Sequence, residues 1–448
     1  MRDVFILLVV FSAIPMIFFR PHVGILAWCW ISYMNPHRLT WSFAYAFPVA
    51  MAVGVATLAA WMLSKEPKKF QINAVSGLLL AFVFWMSFAN LFAMVPDLAF
   101  EKWNQSFKIL LMTFVTMALM HNRERLHAMV WVIVLSLGFF GVKGGVFTVL
   151  GGAGSRVWGP PGSFINDNNA LAMALVMVLP LMRYLQLQSE SKLIRLGLYG
   201  LMSLTAFSII GSHSRGAFVG LAAMIVFLIW KSRQRLLFGV AIVGLVSISA
   251  FFVPAHWIER MRTIETYQED RSAVSRLEAW EFGLKIALER PLVGGGFRVS
   301  YDDEIFLSYM PDSVYGHGYN FHSVYFEVLG ELGFVGLFFY LGVIIAAWYT
   351  GSRIISRTRA RPDLYWANDL SRMTQVSLVG FATAGAFQNL AFFDLYFHLI
   401  AILFLAMTIV DRALEKDQAS GRQPAASAMG RQPALATSSR STLSRTSQ

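Results

Sequence analysis

His322 stands in NFHSVYFEV, residues 320–328, where a polar loop gives way to an apolar run. A neutral imidazole at such a junction accepts a proton at neutral pH. A helix N-terminus and neighbouring arginines both disfavour the imidazolium, so this position keeps the ring neutral. Four arginines, Arg156, Arg215, Arg271 and Arg276, stand at similar junctions or in the one long loop. A planar guanidinium holds phosphate oxygens two at a time, and a phosphorylated ligand would explain all four; snorkelling or pairing with Glu269, Asp270 or Glu278 is the structural alternative. Together these residue types suit proton removal from a nucleophile beside a bound phosphate. Asn168 and Asn169, in INDNNALA (165–172), and Asn320 and Trp280 are candidates for contact with hydroxyl-bearing groups. Asp167 or Asn168 equally suits a helix N-cap. Glu327 and Glu331 sit i, i+4 in an apolar run, where a lone carboxylate is expensive, so they bind an acceptor or pair with an arginine. His213 and His317 are expected to bond locally. Asp302, Asp303 and Glu304 lack companion ligands at a recognisable spacing and read as a solvated loop, so no metal and no cofactor is expected.

These residues must be held by a chain whose solvent is partly lipid. The 448 residues are 56% apolar and only 14% charged, and the mean hydropathy is +0.55. A bilayer span takes about 20 apolar residues, and such runs recur from Val4 almost to Asp411 with short polar breaks. The expected fold is therefore all-α, a polytopic integral membrane protein with about twelve transmembrane helices. They fall near 4–19, 43–63, 74–93, 105–120, 127–150, 168–186, 196–212, 216–230, 236–253, 323–350, 372–392 and 394–411. The first run carries no small-residue cleavage site and reads as a retained span. Residues 23–33 read as interfacial or re-entrant. The single cysteine, Cys29, excludes a disulfide framework or a cysteine metal site.

With the N-terminus inside, KEPKK (65–69), HNRER (121–125), KSRQR (231–235) and the arginines of 353–372 all face the cytoplasm. The net charge of +11 is then topogenic and gives no support to nucleic-acid binding. Residues 1–411 form one membrane domain, and 412–448, rich in Ser, Ala, Gln, Thr and Arg, form a disordered cytoplasmic tail. A long outer loop covers 254–321. Within it AVSRLEAWEFGLKIALER predicts an amphipathic helix with Val274, Leu277, Trp280 and Leu284 on one face. Ser275 and Glu278 have capping-box spacing, and Pro291 with the glycines of 294–296 ends the helix. The runs at INDNNALA, SHSRGAF and NFHSVYFEV place three polar helix N-termini on the outer face, and such termini suit anions.

The order RVWGPPGSFINDNNALA, SHSRGA, SRLEAWEFGLKIALERPLVGGGF, FHSVYFEVLGELGFVGL resembles the O-antigen ligase and polymerase superfamily of bacterial envelope glycosyltransferases. The opening RPHVGILAWCWISYMNPHRLTWSFAYAFP looks like its branch of O-glycosylation ligases associated with exosortase systems, so the resemblance covers about residues 1–411. It implies a GT-C-like glycosyltransferase of the bacterial inner (cytoplasmic) membrane with a periplasmic active site and no metal. Its donor would be a glycan on undecaprenyl diphosphate, and its acceptor a hydroxyl, in O-antigen ligases that of a lipid A core sugar. Carried onto this sequence, the family's essential histidine is His322 and its essential arginines are Arg215 and Arg276. The family often has Asn after the histidine, where this chain has Ser323. Transfer to protein Ser/Thr, a polymerase reaction, and, in a different class, transport of the lipid-linked glycan are the alternatives. The absence of an internal repeat and the clustering of polar motifs at one surface weigh against transport.

Overall fold

The structure, a computed structural model, describes residues 2–231 and 271–419, apart from Pro67, Lys69 and Ala153. Every regular element among them is helical. In chain order they are α1 (Arg2–Phe19), α2 (His22–Met34), the one-turn α3 (Phe43–Ala46), α4 (Val49–Leu63), α5 (Ala74–Asn90), α6 (Pro96–Leu119), α7 (Arg123–Leu150), α8 (Asn168–Gln188), α9 (Lys192–Gly211) and α10 (Arg215–Lys231). After the undescribed stretch come α11 (Arg271–Glu289), α12 (Asp303–Tyr309), α13 (Val324–Thr358), α14 (Tyr365–Ala384) and α15 (Asp394–Ala419). Six of them, α1, α7, α8, α9, α13 and α15, are long and apolar enough to cross a membrane, while α2, α4, α5 and α10 are apolar but shorter. The chain is a polytopic α-helical membrane protein. The expected span at 236–253 and residues 254–270 of the long loop lie outside the described residues, as does the tail from 420. The stretch 412–419, expected in that tail, continues α15 as helix.

Burial sorts the helices into a core and a rim. The apolar window of α8 is 83% buried inside the protein and that of α15 72%, against 11% for α1 and 22% for α9. Rim helices turn Phe5, Leu8, Leu193 and Leu196 outward, a belt that would aggregate in water and is at home among lipid tails. Lipid supplies no hydrophobic force between helices, so close approach has to do the work. On α7 a Cβ at Gly141 would lie 2.2 Å from the Thr205 hydroxyl, and one at Gly145 2.1 Å from the Leu204 carbonyl oxygen of α9. Only glycine lets these two backbones meet.

The first two helices correct the expected topology. The Asp3 carboxylate accepts from the backbone N–H groups of Ser42 and Ala44, and the 36–46 segment in turn abuts the loop at Gly162, beside Tyr45 and Arg38. The start of α1 thus lies on the face that carries the polar motifs. Its end, Arg20, reaches the opposite face, where Glu66 pairs with Arg125 and His22 feels both. Residues 23–33, expected as an interfacial or re-entrant piece, are the helix α2 that returns antiparallel to α1, with Trp28, Cys29 and Tyr33 buried. At about 20 Å of rise it is too short for a lone span, and it crosses inside the protein. The N-terminus therefore faces the site, opposite to the reading with the N-terminus inside.

The expected single span at 323–350 is broken. Gly333, at φ 70 and ψ −174, interrupts α13. A helix break in a membrane domain needs substitutes for its lost hydrogen bonds, and the loop after α11 provides them. Gly295 and Gly296 donate backbone N–H to the Gly330 and Glu331 carbonyls at 2.8 and 3.0 Å, Phe334 donates to the Pro291 carbonyl at 2.9 Å, and the Trp85 indole donates to Leu332. Conformation and space both require glycine here, because a Cβ at Gly333 would lie 2.3 Å from the Leu292 carbonyl oxygen. Gly333→Ala should cost at least about 1–3 kcal/mol from backbone strain alone. Gly200→Ala, at a helical glycine with open space around it, should be neutral or stabilising. Thermal melting of both variants in detergent checks this, and an unchanged Gly333→Ala melt would refute it.

Candidate functional site

Outside the bundle, α11, α12 and the loop up to residue 322 share a second small core of Ala279, Phe282, Ile286, Val299, Phe306, Tyr319 and Phe321. Phe282 packs on Phe306 at 4.7 Å and on Phe321 at 6.0 Å. This corrects the expected apolar face. The buried residues of α11 are Ser275, Ala279, Phe282, Gly283, Ile286 and Ala287, whereas Leu277 and Leu284 are 47% and 42% exposed. The inward face mixes Phe282 and Ile286 with small residues at the closest approach, where a Cβ at Gly283 would already lie 3.0 Å from the Phe321 ring. Nor do Ser275 and Glu278 form a capping box, because α11 starts at Arg271, four residues earlier than Ser275. The Ser275 hydroxyl donates to the Ser272 carbonyl. Glu278 instead accepts from the Tyr319 hydroxyl at 2.6 Å, the Ser313 hydroxyl at 3.1 Å and the Val314 N–H at 3.2 Å.

That clamp delivers the chain to His322. The Trp280 indole donates to the Phe321 carbonyl at 3.0 Å and its ring stacks on Phe326 at 5.3 Å. The His322 N–H donates to Asn320 Oδ1 at 3.0 Å, an Asx-type turn that supports the left-handed backbone of His322 at φ 49. Such a conformation costs a non-glycine residue about 1–3 kcal/mol and gathers at functional positions. Among the described residues three of the four non-glycine residues with positive φ, His213, Arg298 and His322, lie in this polar region. Burial, and then the Arg276 guanidinium nearby, push the His322 imidazole down to about 4, so the ring is neutral across the physiological range.

Arg215 opens α10, whose first turn is capped by the Ser214 hydroxyl accepting from the Ala217 N–H at 3.3 Å. The helix seats against the turn at Gly385–Phe387, where a Cβ at Gly216 would lie 2.9 Å from Phe387 Cβ. Phe387 in turn contacts the Trp280 ring at 6.4 Å, and Val324, two residues after His322, packs on Gly385. One turn therefore joins the starts of α10 and α13 to the helix that carries Arg276. Arg156 and Arg271 are exposed, in the loop before α8 and at the first residue of α11.

The remaining candidates are committed to structure. Asp167 caps α8 by accepting from the N–H groups of Asn169 and Ala170. Asn168 is buried and donates to the Ser212 carbonyl at 2.8 Å, tying α8 to the end of α9. His317 bonds the neighbouring Gly318 carbonyl. Asp302 caps α12 and Asp303 accepts from Gly318 N–H. Glu327 and Glu331 do pair with a cation, but it is Lys102 of α6, at 2.6 and 2.7 Å. Glu327 also accepts from the Ala391 N–H at 3.0 Å and Glu331 from the Arg298 N–H at 2.9 Å. Glu327 thus ties the first half of α13 to α6 and to the segment before α15.

Lys102 and Tyr301 were not picked out from the sequence, and Glu278, expected to pair with an arginine or to cap, instead holds the loop before His322. Lys102 had a signal: two carboxylates one turn apart in an apolar run require a buried cation. The span expected to begin at 105 placed Lys102 in a loop, whereas α6 begins at Pro96.

Residues 1–190 match the model of a family of unknown function (DUF5935). Residues 200–341 match the model of the O-antigen ligase family. No curated protein matches the chain. The second match runs from α9 to the first half of α13 and takes in Arg215, Arg276 and His322, so this segment of the chain is similar to the O-antigen ligase family.

Proposed function

We propose that this protein transfers a glycan from a polyprenyl diphosphate, of the undecaprenyl type, to an acceptor hydroxyl on the periplasmic face of the bacterial inner membrane. A lipid A core sugar is the acceptor this reading favours. The observation that carries it is the neutral, backbone-strained His322 beside Arg276. The acceptor oxygen attacks the anomeric carbon from the side opposite the diphosphate, so configuration inverts. Its proton passes to the His322 imidazole, and the bond from the anomeric carbon to the phosphate oxygen breaks with its electron pair on the diphosphate. Arg215 and Arg276 offset that developing charge, aided by the N-terminus of α10. Arg156 and Arg271, exposed at the same face, extend the anionic path. Proton and charge both have protein partners in this scheme, so it runs without a metal. Trp280, bonded to the Phe321 carbonyl beside His322, and Asn169, at the start of α8, are the side chains this reading assigns to the sugars.

The superfamily's ligase- or polymerase-type role in O-antigen biosynthesis agrees with this chemistry. The acceptor separates the variants of the reaction: a lipid A core sugar, a protein Ser/Thr, or a second lipid-linked glycan. Purified protein given a polyprenyl-diphosphate glycan and each acceptor should yield product, and His322→Ala should lower the rate about 10²–10⁴-fold with donor binding intact. Near-normal product from that variant would sink the base assignment.

The pH profile gives a second test. The base form of His322 is present above about 4, so kcat/KM should hold as pH falls through 6.5 and decline only near 4. Arg276→Gln removes a positive charge beside the imidazole, making protonation easier, and should move that acid limb upward while lowering the plateau. A limb at 6.5 in both proteins would contradict the assignment. Stability follows the same sign: the unfolded chain binds the extra proton between about 4 and 6.5, so His322 favours the folded state more as pH rises through that window.

A further inference from the structure

A cavity of about 160 Å³ lies between α6, the loop at Phe164, the turn at Arg298 and the segment before α15. It is smaller than the roughly 300–1,000 Å³ of sites that enclose drug-sized ligands, and a cavity of about 150 Å³ holds a ring the size of benzene, so it would seat one ring and leave its substituents outside. Its polar wall combines neutral groups, the Gln105 amide, the Ser106 hydroxyl, the Tyr301 phenol and the Asn389 amide, with the charged Lys102, Arg298 and Glu327, and Phe392 and Phe393 supply aromatic surface. Asn389 Oδ1 is buried and has no hydrogen-bond partner among the described residues, and such an acceptor is costly until a donor meets it.

Charge decides what kind of ring fits. Lys102 also lines the cavity, but Glu327 and Glu331 hold it. Arg298 lines it too, and its guanidinium pairs with Glu101 at 2.6 Å. Both cations are neutralised by adjacent carboxylates, so an anion gains little here. A ring bearing hydroxyls on its rim and C–H groups on its faces satisfies the amides, the hydroxyls and the phenylalanines together. Tyr301 also stands near Asn320, which holds the His322 backbone.

We infer that this cavity is a subsite for one neutral sugar ring of the glycan-transfer reaction, separate from the arginines that hold the diphosphate; it rests on the transfer reading above. Saturation-transfer NMR on the full chain in detergent tests it, with methyl glycosides of a hexose, a 6-deoxyhexose, an N-acetylhexosamine and a heptose as probes. At least one should bind. Its signal should fall about fivefold or more, the loss of one neutral hydrogen bond, in Asn389→Leu and in Gln105→Leu, and also in Ser106→Phe, which fills the space. Asn389→Leu keeps the side-chain shape, so it decides the matter should Ser106→Phe fail to fold. No binding above empty micelles, or binding indifferent to all three substitutions, overturns the subsite. Inorganic pyrophosphate separates this from the transfer reading: it should lose affinity about tenfold or more in Arg276→Ala, from loss of a charge-assisted contact, and keep it in Asn389→Leu. Pyrophosphate binding indifferent to Arg276→Ala, with glycoside binding lost in Asn389→Leu, counts against the diphosphate assignment and supports the subsite. In transfer assays, a raised KM for the acceptor alone in Asn389→Leu assigns the ring to the acceptor, and for the donor alone to the donor.

Discussion

One buried ammonium organises the functional face. Lys102 lies between Glu327 and Glu331, and each carboxylate holds a second segment, Glu327 through Ala391 and Glu331 through Arg298. Four stretches distant in sequence thereby share one electrostatic centre: α6, the first half of α13, the turn after the glycine loop and the segment before α15. Breaking one partner of such a cluster strands a charge in low dielectric and costs several kcal/mol. That cost disfavours any arrangement in which the first half of α13, and with it His322, shifts against the bundle.

The interrupted α13 follows from the same requirement. A straight helix through Gly333 would leave the loop at 291–296 without its acceptors. With the break, the Gly330, Glu331 and Leu332 carbonyls bind that loop and the Trp85 indole. The outer half of α13 is fastened to α11, α11 fastens the loop before His322 through Glu278 and Trp280, and Asn320 sets the last backbone turn. The strain at His322 is thus sustained by a chain of contacts that reaches back to the break in α13.

Much of this was legible in the sequence. INDNNALA, SHSRGAF and NFHSVYFEV were readable as polar helix starts on one face, and the neutrality of His322 follows from a buried junction next to an arginine. The helix in the long loop was legible from its period and from Pro291, but its inward face was not, because its closest contacts use Gly283 and Ala279 while Leu277 and Leu284 face away. Hydropathy reads bulk, and close backbone approach favours the smallest side chains. The orientation of α1 was missed for a related reason: a 13-residue α2 is too short to register as a span, yet it crosses because other helices surround it. The partner of Glu327 and Glu331 lies more than 220 residues away in sequence, and no local pattern reveals such a pairing.

The most direct measurement is the structure of the protein bound to a non-hydrolysable phosphonate analogue of a polyprenyl-diphosphate sugar. Phosphoryl oxygens should lie within about 2.7–3.2 Å of guanidinium nitrogens of both Arg215 and Arg276, with the anomeric carbon turned so that His322 faces the side opposite the leaving diphosphate. A diphosphate bound away from these two arginines, or a His322 ring on the same side as the leaving group, would contradict the proposed chemistry.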